Sequence, residues 1–541
     1  MKQTVEGQII DIQHRTIFEG SIEIENGIIS KINPHETKEK SYIIPGFVDA
    51  HIHIESSMLT PENFGRQVIK HGTVAVVTDP HEIGNVMGVA GVQFMLKNSR
   101  KSPVKCFFSI PSCVPATPFD VSGGVISSKD VEEMASSNQF VALSEMMNVP
   151  GVLFEDKEVM AKLACAKRHS LPIDGHSPGL LGEQLKKYVN SGISTDHECS
   201  TLKEAQEKLA LGMKILIREG SAARNYEALK TLIKTNPDNV MFCTDDSHPD
   251  ELIESGHIDK LVRRAIADGF DLFDVLKIAS INSILHYKLD VGTLKIGDKA
   301  DFIIINDLKQ FKVQKAFVNG KKQYDIDEAD NWKVKTESIT DVNAFNHNKI
   351  ATADLKKAVG DKVTVISLTD GELLTAPYTF CPDKPVENFE SDVKNDILKI
   401  VYLNRYQNGK PQIAFCKGFE LKHGAFASSV AHDSHNIIAV GCSDREIAGA
   451  INQIIEERGG LSVQLNDKAY ILPLPIGGIM SDKDGKTVST VYKSLYNKVN
   501  EMGCNLRAPF MTLAFMSLLV IPEIKIGEKG LFSYSKFYWI E

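Results

Sequence analysis

The sequence lacks several features that would define its location or its partners. Its nine cysteines are scattered without a CxxC pair, which excludes a thiolate zinc motif and gives no disulfide framework. The N-terminus has no signal-peptide apolar core, and the most apolar run, residues 513–522, is too short to span a bilayer. Basic residues are not in excess, since 61 Lys and Arg face 70 Asp and Glu. These absences predict a cytoplasmic protein with no nucleic-acid or membrane partner and a small neutral ligand.

The composition is that of a folded enzyme with several domains. Of the 541 residues, 43% are hydrophobic and 24% charged, and the length exceeds what one core usually fills. Alternating strand patterns precede residue 45, where Asn26-Gly27 is a hairpin signal, and they return after residue 289. We therefore predict a small β-sheet domain from residues 1–45 plus 289–335, a central domain at 46–288 and a C-terminal α/β domain at 340–541.

The central domain shows eight short β-rich runs that alternate with helical stretches. This alternation is typical of repeated βα units and predicts an α/β fold, a (β/α)8 TIM-like barrel. The predicted strands are residues 43–48, 74–78, 105–110, 140–144, 172–174, 193–196, 214–218 and 239–244.

The first predicted strand leads into PGFVDAHIHIES, which places His51 and His53 two residues apart. Side chains two apart on extended chain point the same way, so both imidazoles can reach one metal ion. The nearby His53-Ile54-Glu55 also matches the HxE element of zinc nucleobase deaminases. No PCxxC follows anywhere in the chain, so that match is fortuitous.

Four further ligand-type residues stand at the ends of later predicted strands: Glu145, His176, His197 and Asp245. Active sites of such barrels lie at the carboxyl ends of the strands, so these side chains and the two histidines are expected to meet at one mouth. Four histidines and two carboxylates can hold two divalent ions. Individual histidines could instead cap strands or satisfy buried polar groups, but joint placement of the set favours metal binding.

This pattern resembles the amidohydrolase superfamily, in which HxH follows strand one, a bridging ligand strand four, histidines strands five and six, and an aspartate strand eight. Much of that superfamily bridges its metals with a carboxylated lysine, whereas this chain has Glu145. The Glu variant and seven strings resemble a bacterial family within it whose members deaminate adenine. The strings are DAHIHIESSMLTP, TDPHEIGNV, DGHSPGL, REGSAARN, CTDDSHP, VAHDSHNIIAVG and LPLPIGGIMS.

The resemblance implies a substrate, metals and a mechanism. Adenine and water would give hypoxanthine and ammonia in purine salvage, with Mn²⁺ or Fe²⁺ favoured over Zn²⁺. A hydroxide bridging the two ions would attack C6. Asp245 is then both a ligand and the shuttle that passes the water's proton to the leaving amine. Asp246 is the rival shuttle, and whichever of the two is not the shuttle could accept a hydrogen bond from the purine.

Adenine N1 must gain a proton as the ring becomes tetrahedral, which requires an acid. Glu82, Glu198 and Glu219 are the candidates, although each could instead form a salt bridge or support a metal histidine. The loop REGSAARN carries Arg218 and Arg224 and could contact substrate or simply start a helix. Glu82, Glu219, Arg224 and Asp246 are thus the predicted substrate contacts, and His81 could either reach the mouth or lie at the surface.

A second metal-like cluster, His432, Asp433 and His435, lies outside the barrel. It could complete the active site, hold a further ion or serve packing, and the sequence does not choose among them. Two other functions remain open. One is another amidohydrolase that acts on a cyclic amide or a different aminoheterocycle, and the other is a catalytically silent metal-binding protein. A homo-oligomer is the usual habit of such enzymes.

Overall fold

The computed structural model describes residues 2–221, 223–331 and 342–540. Ala222 of the REGSAARN loop and the predicted domain limits at residues 335 and 340 lie outside the described residues. Within the described residues, no helix is both long and apolar enough to cross a membrane.

Both flanks of the central domain build one seven-stranded sheet, as the alternating patterns predict. Asn26 and Gly27 both adopt positive φ, 53° and 84°, and close the hairpin between its last two strands. Ile22, Phe302 and Phe317 lie in its core. In spatial order the strands are Lys321–Asp325, Val313–Val318, Phe302–Ile305, Tyr42–Pro45, Lys2–Asp11, Thr16–Glu25 and Ile28–Pro34.

The central domain is a parallel (β/α)8 barrel made of a five-stranded and a three-stranded sheet. Two sets of backbone hydrogen bonds join the sheets. At one seam Ser194 N donates to Ile173 O at 2.9 Å. At the other, Asp245 N donates to His51 O at 3.0 Å, and Ile52 bridges to Asp245. The strands in chain order are Phe47–Ile52, Thr73–Thr78, Lys105–Ile110, Phe140–Met146, Ile173–Gly175, Thr195–Asp196, Lys214–Arg218 and Val240–Cys243.

The first barrel strand differs from the predicted segment 43–48. The chain divides at Gly46: Tyr42–Pro45 pairs in the small sheet, and the barrel strand is Phe47–Ile52. A β-carbon at Gly46 would lie 2.3 Å from Val74 Cγ1, so the close approach there requires glycine. The residues next to Gly46 on both sides, 43–45 and 47–48, are buried and apolar, so hydrophobicity alone gave no sign of the change of sheet.

Helices connect the barrel strands and cover the barrel. One of them, Lys157–Arg168, is capped at its N-terminus by Asp156, whose carboxylate accepts hydrogen bonds from two backbone N–H groups. This helix buries Val159, Leu163 and Ala166 at helical spacing. The α-helices of this domain are Pro61–Val68, His81–Met87, Val89–Ser99, Ser128–Ser136, Val149–Leu153, Lys157–Arg168, Gly182–Asn190, Leu202–Ala210, Tyr226–Leu229, Leu232–Thr235, Pro249–Glu254, Ile258–Ala267, Leu272–Leu276 and Asn282–Tyr287.

The C-terminal part contains an eight-stranded mixed sheet, a three-stranded sheet and helices Asp444–Glu457, Gly485–Glu501 and Pro509–Ala514. This is the additional α/β unit that the sequence predicts. The larger sheet has the order Thr375–Phe380, Val363–Leu368, Gln412–Lys417, Leu398–Leu403, Asn436–Gly441, Ala425–Ala431, Gly460–Leu465 and Lys468–Pro473, and the smaller one consists of Ile524–Gly527, Gly530–Ser533 and Tyr538–Trp539.

The C-terminal part packs directly on the mouth of the barrel. Ser481 N donates to Met58 O at 2.8 Å, and Asn436 Nδ2 donates to Val121 O at 2.8 Å. His248 Nδ1 lies 2.6 Å from the Tyr492 hydroxyl. These contacts bring the segment that contains residues 432–435 over the carboxyl ends of the barrel strands.

Candidate active site

The six predicted ligand-type residues all stand at the carboxyl ends of barrel strands and are buried. The structure brings them together at one mouth. Glu145 is the last residue but one of the fourth strand, and each of the others also lies within two residues of the end of a strand. The set is His51, His53, Glu145, His176, His197 and Asp245, none more than 6% exposed.

Glu145 is central to this group. Its Oε1 lies 3.2 Å from His53 Nε2 and 4.0 Å from His51 Nε2. Its Oε2 lies 2.7 Å from His176 Nδ1 and 3.3 Å from His197 Nε2. The two oxygens of one carboxylate therefore face two different pairs of imidazoles, which is the arrangement required of a bridging ligand.

Asp245 closes the other side of the group. Its Oδ1 lies 3.2 Å from His53 Nε2 and 3.5 Å from His51 Nε2. The backbone of Asp245 adopts a φ of 55°, a conformation that non-glycine residues rarely adopt outside turns and functional sites. Hydrogen bonds to the first strand on both sides of the residue hold this conformation, so the carboxylate is fixed over the two histidines.

The donor set fits divalent cations. His51 Nε2 and His53 Nε2 face each other at 3.2 Å, and the buried His176 Nε2 has no hydrogen-bond partner. His53 Nδ1 lies 3.1 Å from the Asp79 carbonyl oxygen, which fixes the tautomer that leaves Nε2 free for a metal. Imidazole and carboxylate together suit manganese, iron and zinc.

The carboxylates of the group favour a positive charge at its centre. Burial opposes protonation of His53, yet its hydrogen bonds to Asp245 and Glu145 raise its pKa well above the usual value. The pKa of His197 is raised against burial in the same way, through Glu145 and Glu198. Cations bound between the imidazoles and the carboxylates would supply that charge in place of protons.

Arg218 forms a buried clamp beside the donor group. Its Nη1 donates to Asp245 Oδ2 at 2.6 Å, and its guanidinium also binds both oxygens of Glu198. Burial alone would raise the pKa of both carboxyls, but Arg218 holds them well below their usual values. Asp245 and Glu198 are therefore carboxylates.

A second acidic group faces the donor set across the pocket. Ser56 Oγ lies 2.8 Å from Glu82 Oε1 and 2.5 Å from Asp246 Oδ1. Burial is the largest influence on Glu82 and raises its pKa. Both carboxyl groups line the same cavity as Glu145 and Asp245.

The C-terminal cluster lies at this site and not at a remote position. His432 Nδ1 lies 3.5 Å from Glu82 Oε1, and His435 Nε2 lies 4.0 Å from Glu82 Oε2. Asp433 Oδ1 lies 3.8 Å from Nε2 of His81, whose other nitrogen is 2.9 Å from Asp79 Oδ2. His81 is thus buried at the mouth and held between carboxylates of two domains.

The cavity between these groups has about 350 Å³ of space, which includes solvent at its opening. Apolar side chains complete its wall: Met147 from the barrel and Leu373, Phe515 and Leu518 from the C-terminal part. Neither these apolar residues nor Ser56 are predicted from the sequence. Ser56 follows the HxH motif by three residues and could have been suspected, whereas nothing marks the apolar residues as pocket walls.

Two predicted substrate contacts are not brought to the cavity. The carboxylate of Glu219 lies 3.0 Å from Arg264 Nη1 and accepts a hydrogen bond from Tyr226 N. Arg224 donates to Gly220 O at 2.9 Å and pairs with Glu251. Both side chains are directed to neighbouring helices because they have partners there, and Arg218 is the arginine of this loop that reaches the cavity.

Comparison with known proteins places the chain in a class. Residues 42–322 match the Amidohydrolase family, and the chain belongs to that family. Within it the chain is a member of the adenine deaminase family. Residues 372–538 match the adenine deaminase C-terminal domain, and the chain is 50% identical to an adenine deaminase of Methanosarcina barkeri over 100% of this chain and 99% of that one.

Relatives from distant organisms show the same similarity over the whole chain. An adenine deaminase of Sulfurovum sp. is 48% identical, with 98% of each chain covered. One of Borreliella burgdorferi is 45% identical, with 99% of each chain covered. The similarity therefore includes the barrel, the small sheet and the C-terminal part together.

Proposed function

We propose that this chain hydrolyses adenine to hypoxanthine and ammonia in purine salvage. The observation that carries the proposal is the group of four histidines and two carboxylates at the barrel mouth, most of which line one cavity. The full-length similarity to adenine deaminases supports adenine as the substrate. The sequence also predicts a cytoplasmic homo-oligomer with domains at 1–45 plus 289–335, 46–288 and 340–541.

The residues that would hold two divalent cations are the six at the strand ends. We assign the bridging position to Glu145, whose two oxygens face different imidazole pairs. Mn²⁺ or Fe²⁺ is the proposed metal, as the resemblance to adenine deaminases implies, and the nitrogen and oxygen donors suit both ions. When bound, such cations supply Lewis-acid activation of a water molecule near neutral pH. The set is His51, His53, Glu145, His176, His197 and Asp245.

Asp245 is the proposed proton shuttle. Its carboxylate borders the cavity, and the Arg218 clamp keeps it ionised and correctly oriented to accept a proton from the attacking water. It then gives that proton to the departing amine, because ammonia leaves far more readily than an amide ion. Asp246 is instead hydrogen-bonded with Ser56, which favours a role toward the purine ring.

Metal reconstitution tests the proposal. Metal-depleted protein is loaded with Mn²⁺ or Fe²⁺, and adenine loss and ammonia release are followed together. We expect metal-dependent release from the wild type and from Arg224→Ala, whose side chain lies outside the cavity, and loss of turnover in Asp245→Asn. If fully metallated, folded wild-type protein leaves adenine intact, adenine is not the substrate. A panel of other aminoheterocycles and cyclic amides would then separate a different amidohydrolase from a silent metal-binding protein.

A further inference from the structure

The proposed reaction requires a proton at N1 of adenine that neither Asp245 nor the other metal ligands supply. When the oxygen of water bonds to C6 of adenine, the electron pair of the C6–N1 double bond moves to N1, which must take up a proton. Hypoxanthine retains this proton on N1. A second acid, separate from Asp245, is therefore needed on the N1 side of the ring.

Two of the three candidate glutamates do not suit this role. Glu198 is bonded through both oxygens to Arg218, which lowers the pKa of Glu198 and leaves it an acceptor. Glu219 is bonded to Arg264 and to the backbone of Tyr226, and it does not line the cavity.

Glu82 differs from both, because the hydrogen bonds between Glu82, Ser56 and Asp246 require one carboxylic acid among them. Ser56 Oγ is within 2.8 Å of Glu82 and within 2.5 Å of Asp246, but a hydroxyl carries one hydrogen and can donate to one carboxylate only. The other contact needs a carboxylic acid that donates to Ser56. Glu82 is fully buried and Asp246 is only partly buried, so the shared proton belongs on Glu82.

We propose that Glu82 is the acid that protonates N1 of adenine, and that the Ser56 hydroxyl returns a proton to it at the end of each turnover. This inference rests on the proposed function, since it assigns a role in adenine hydrolysis. Glu82 lines the cavity, so its carboxyl group can contact the ring.

The protons of the reaction balance with this assignment. Of the two protons of water, Asp245 carries the first to the amine, and the C6–N bond breaks as its electron pair leaves with ammonia. An oxygen lone pair then forms the C6 carbonyl, which frees the second proton. By then Glu82 has given its own proton to N1. The second proton of water reaches Glu82 through the Ser56 hydroxyl, which also contacts Asp246, and restores the carboxylic acid.

Titratable groups from four parts of the chain surround Glu82. Burial is the largest influence and raises the pKa of Glu82, whereas the imidazoles of His432, His53 and His81 lower it. The titratable groups that face it are Glu55 and Asp246, which are acidic, and His53, His81, His432 and His435.

The test compares Glu82→Gln with Glu219→Gln, a glutamate outside the cavity, in fully metallated full-length protein. We expect Glu82→Gln to lower kcat about 10²- to 10⁴-fold with an unchanged metal content, since an amide cannot supply the proton. We expect the wild-type kcat to fall at high pH, where Glu82 loses its proton, and this fall should be absent from the residual rate of the variant. Glu219→Gln should keep the wild-type kcat and pH profile, and Glu82→Asp should restore part of the rate.

A second variant keeps the test decisive if Glu82→Gln fails to fold or loses metal. Ser56→Ala removes only the shared hydroxyl, and we expect a lower kcat with unchanged KM and metal content. A wild-type kcat in Glu82→Gln overturns the acid role, and if that variant is unusable, a wild-type kcat in Ser56→Ala overturns the proposal. Wild-type protein that releases no ammonia from adenine contradicts the proposed function instead, so the two failures are distinguishable.

Discussion

Arg218 and Asp245 form a buried ion pair in which Nη1 of the arginine lies 2.6 Å from Oδ2 of the aspartate. The same guanidinium also pairs with Glu198, so one cation balances two carboxylates beside the donor group. Arg218 is only 5% exposed, and solvent screens this charge little.

Replacement of Arg218 by Met should damage both stability and turnover. It leaves Asp245 and Glu198 buried without their guanidinium partner, which costs about 3–5 kcal/mol. A large fall in the denaturation midpoint and a loss of ammonia release are expected. Arg445→Met is the control, because its ion pair with Asp467 is mostly exposed and worth about 0–1 kcal/mol. Equal effects of the two substitutions would contradict the buried clamp.

Metal removal should lower thermal stability. Without cations, Glu145 and Asp245 are buried against imidazoles that must be protonated to balance them. A cation at 1,000 times its dissociation constant adds about 4 kcal/mol to the folded state. Titration of metal-free protein with Mn²⁺ should raise the melting temperature, and Mg²⁺, which prefers oxygen ligands, should raise it less. An unchanged melting temperature with Mn²⁺ would argue against a metal at this mouth.

Gly175→Ala should disturb the seam between the two barrel sheets. A β-carbon at this position would lie 2.3 Å from Thr195 O, and the next residue along the chain is His176. We expect a loss of about 2–4 kcal/mol, of the size seen for strained core substitutions, together with weaker metal binding. Gly360→Ala is the matched control, since no atom lies within 4 Å of its added carbon. Differential scanning calorimetry and metal analysis of both variants measure the difference.

Lys525 predicts a particular dependence of stability on pH. Burial lowers the pKa of Lys525 to about 7, and its Nζ donates to Leu373 O at 2.9 Å. An unfolded lysine titrates near 10.4, so between about pH 7 and 10 the unfolded chain binds more protons than the folded one. Stability from this residue therefore rises with pH over that window and is lost as pH falls through it.

Lys525→Met tests that sign. The variant should be most favoured over the wild type near pH 6.5, and its advantage should shrink by up to about 5 kcal/mol as the pH rises toward 10. Unfolding free energies of both proteins across this range measure the gap. A gap that stays constant with pH would show that the buried amine keeps an ordinary pKa.

The convergence of the six ligand-type residues could be predicted because each follows a strand of a repeated βα unit. The pattern of strands places their carboxyl ends at one mouth whatever the details of packing. The change of sheet at Gly46 was missed, because the residues on both sides are equally apolar. The domain limits stay a prediction.

The rest of the site could not be read from the chain order. Leu373 and Phe515 reach the cavity from elements that lie more than 120 residues beyond the last barrel strand, through contacts between domains that carry no local signal. The choice between Glu82, Glu198 and Glu219 depends on which of them has an arginine partner. That choice required coordinates of side chains from separate strands.

The position of Phe515 in the chain has a consequence for biosynthesis. This ring stacks on His432 at a centroid distance of 4.8 Å and lies 272 residues after Cys243, where the last barrel strand ends. The barrel leaves the ribosome before the C-terminal part, so its cavity lacks this wall until Phe515 has been translated. A nascent chain, or one terminated before Phe515, would thus expose the donor group to solvent and to competing metals.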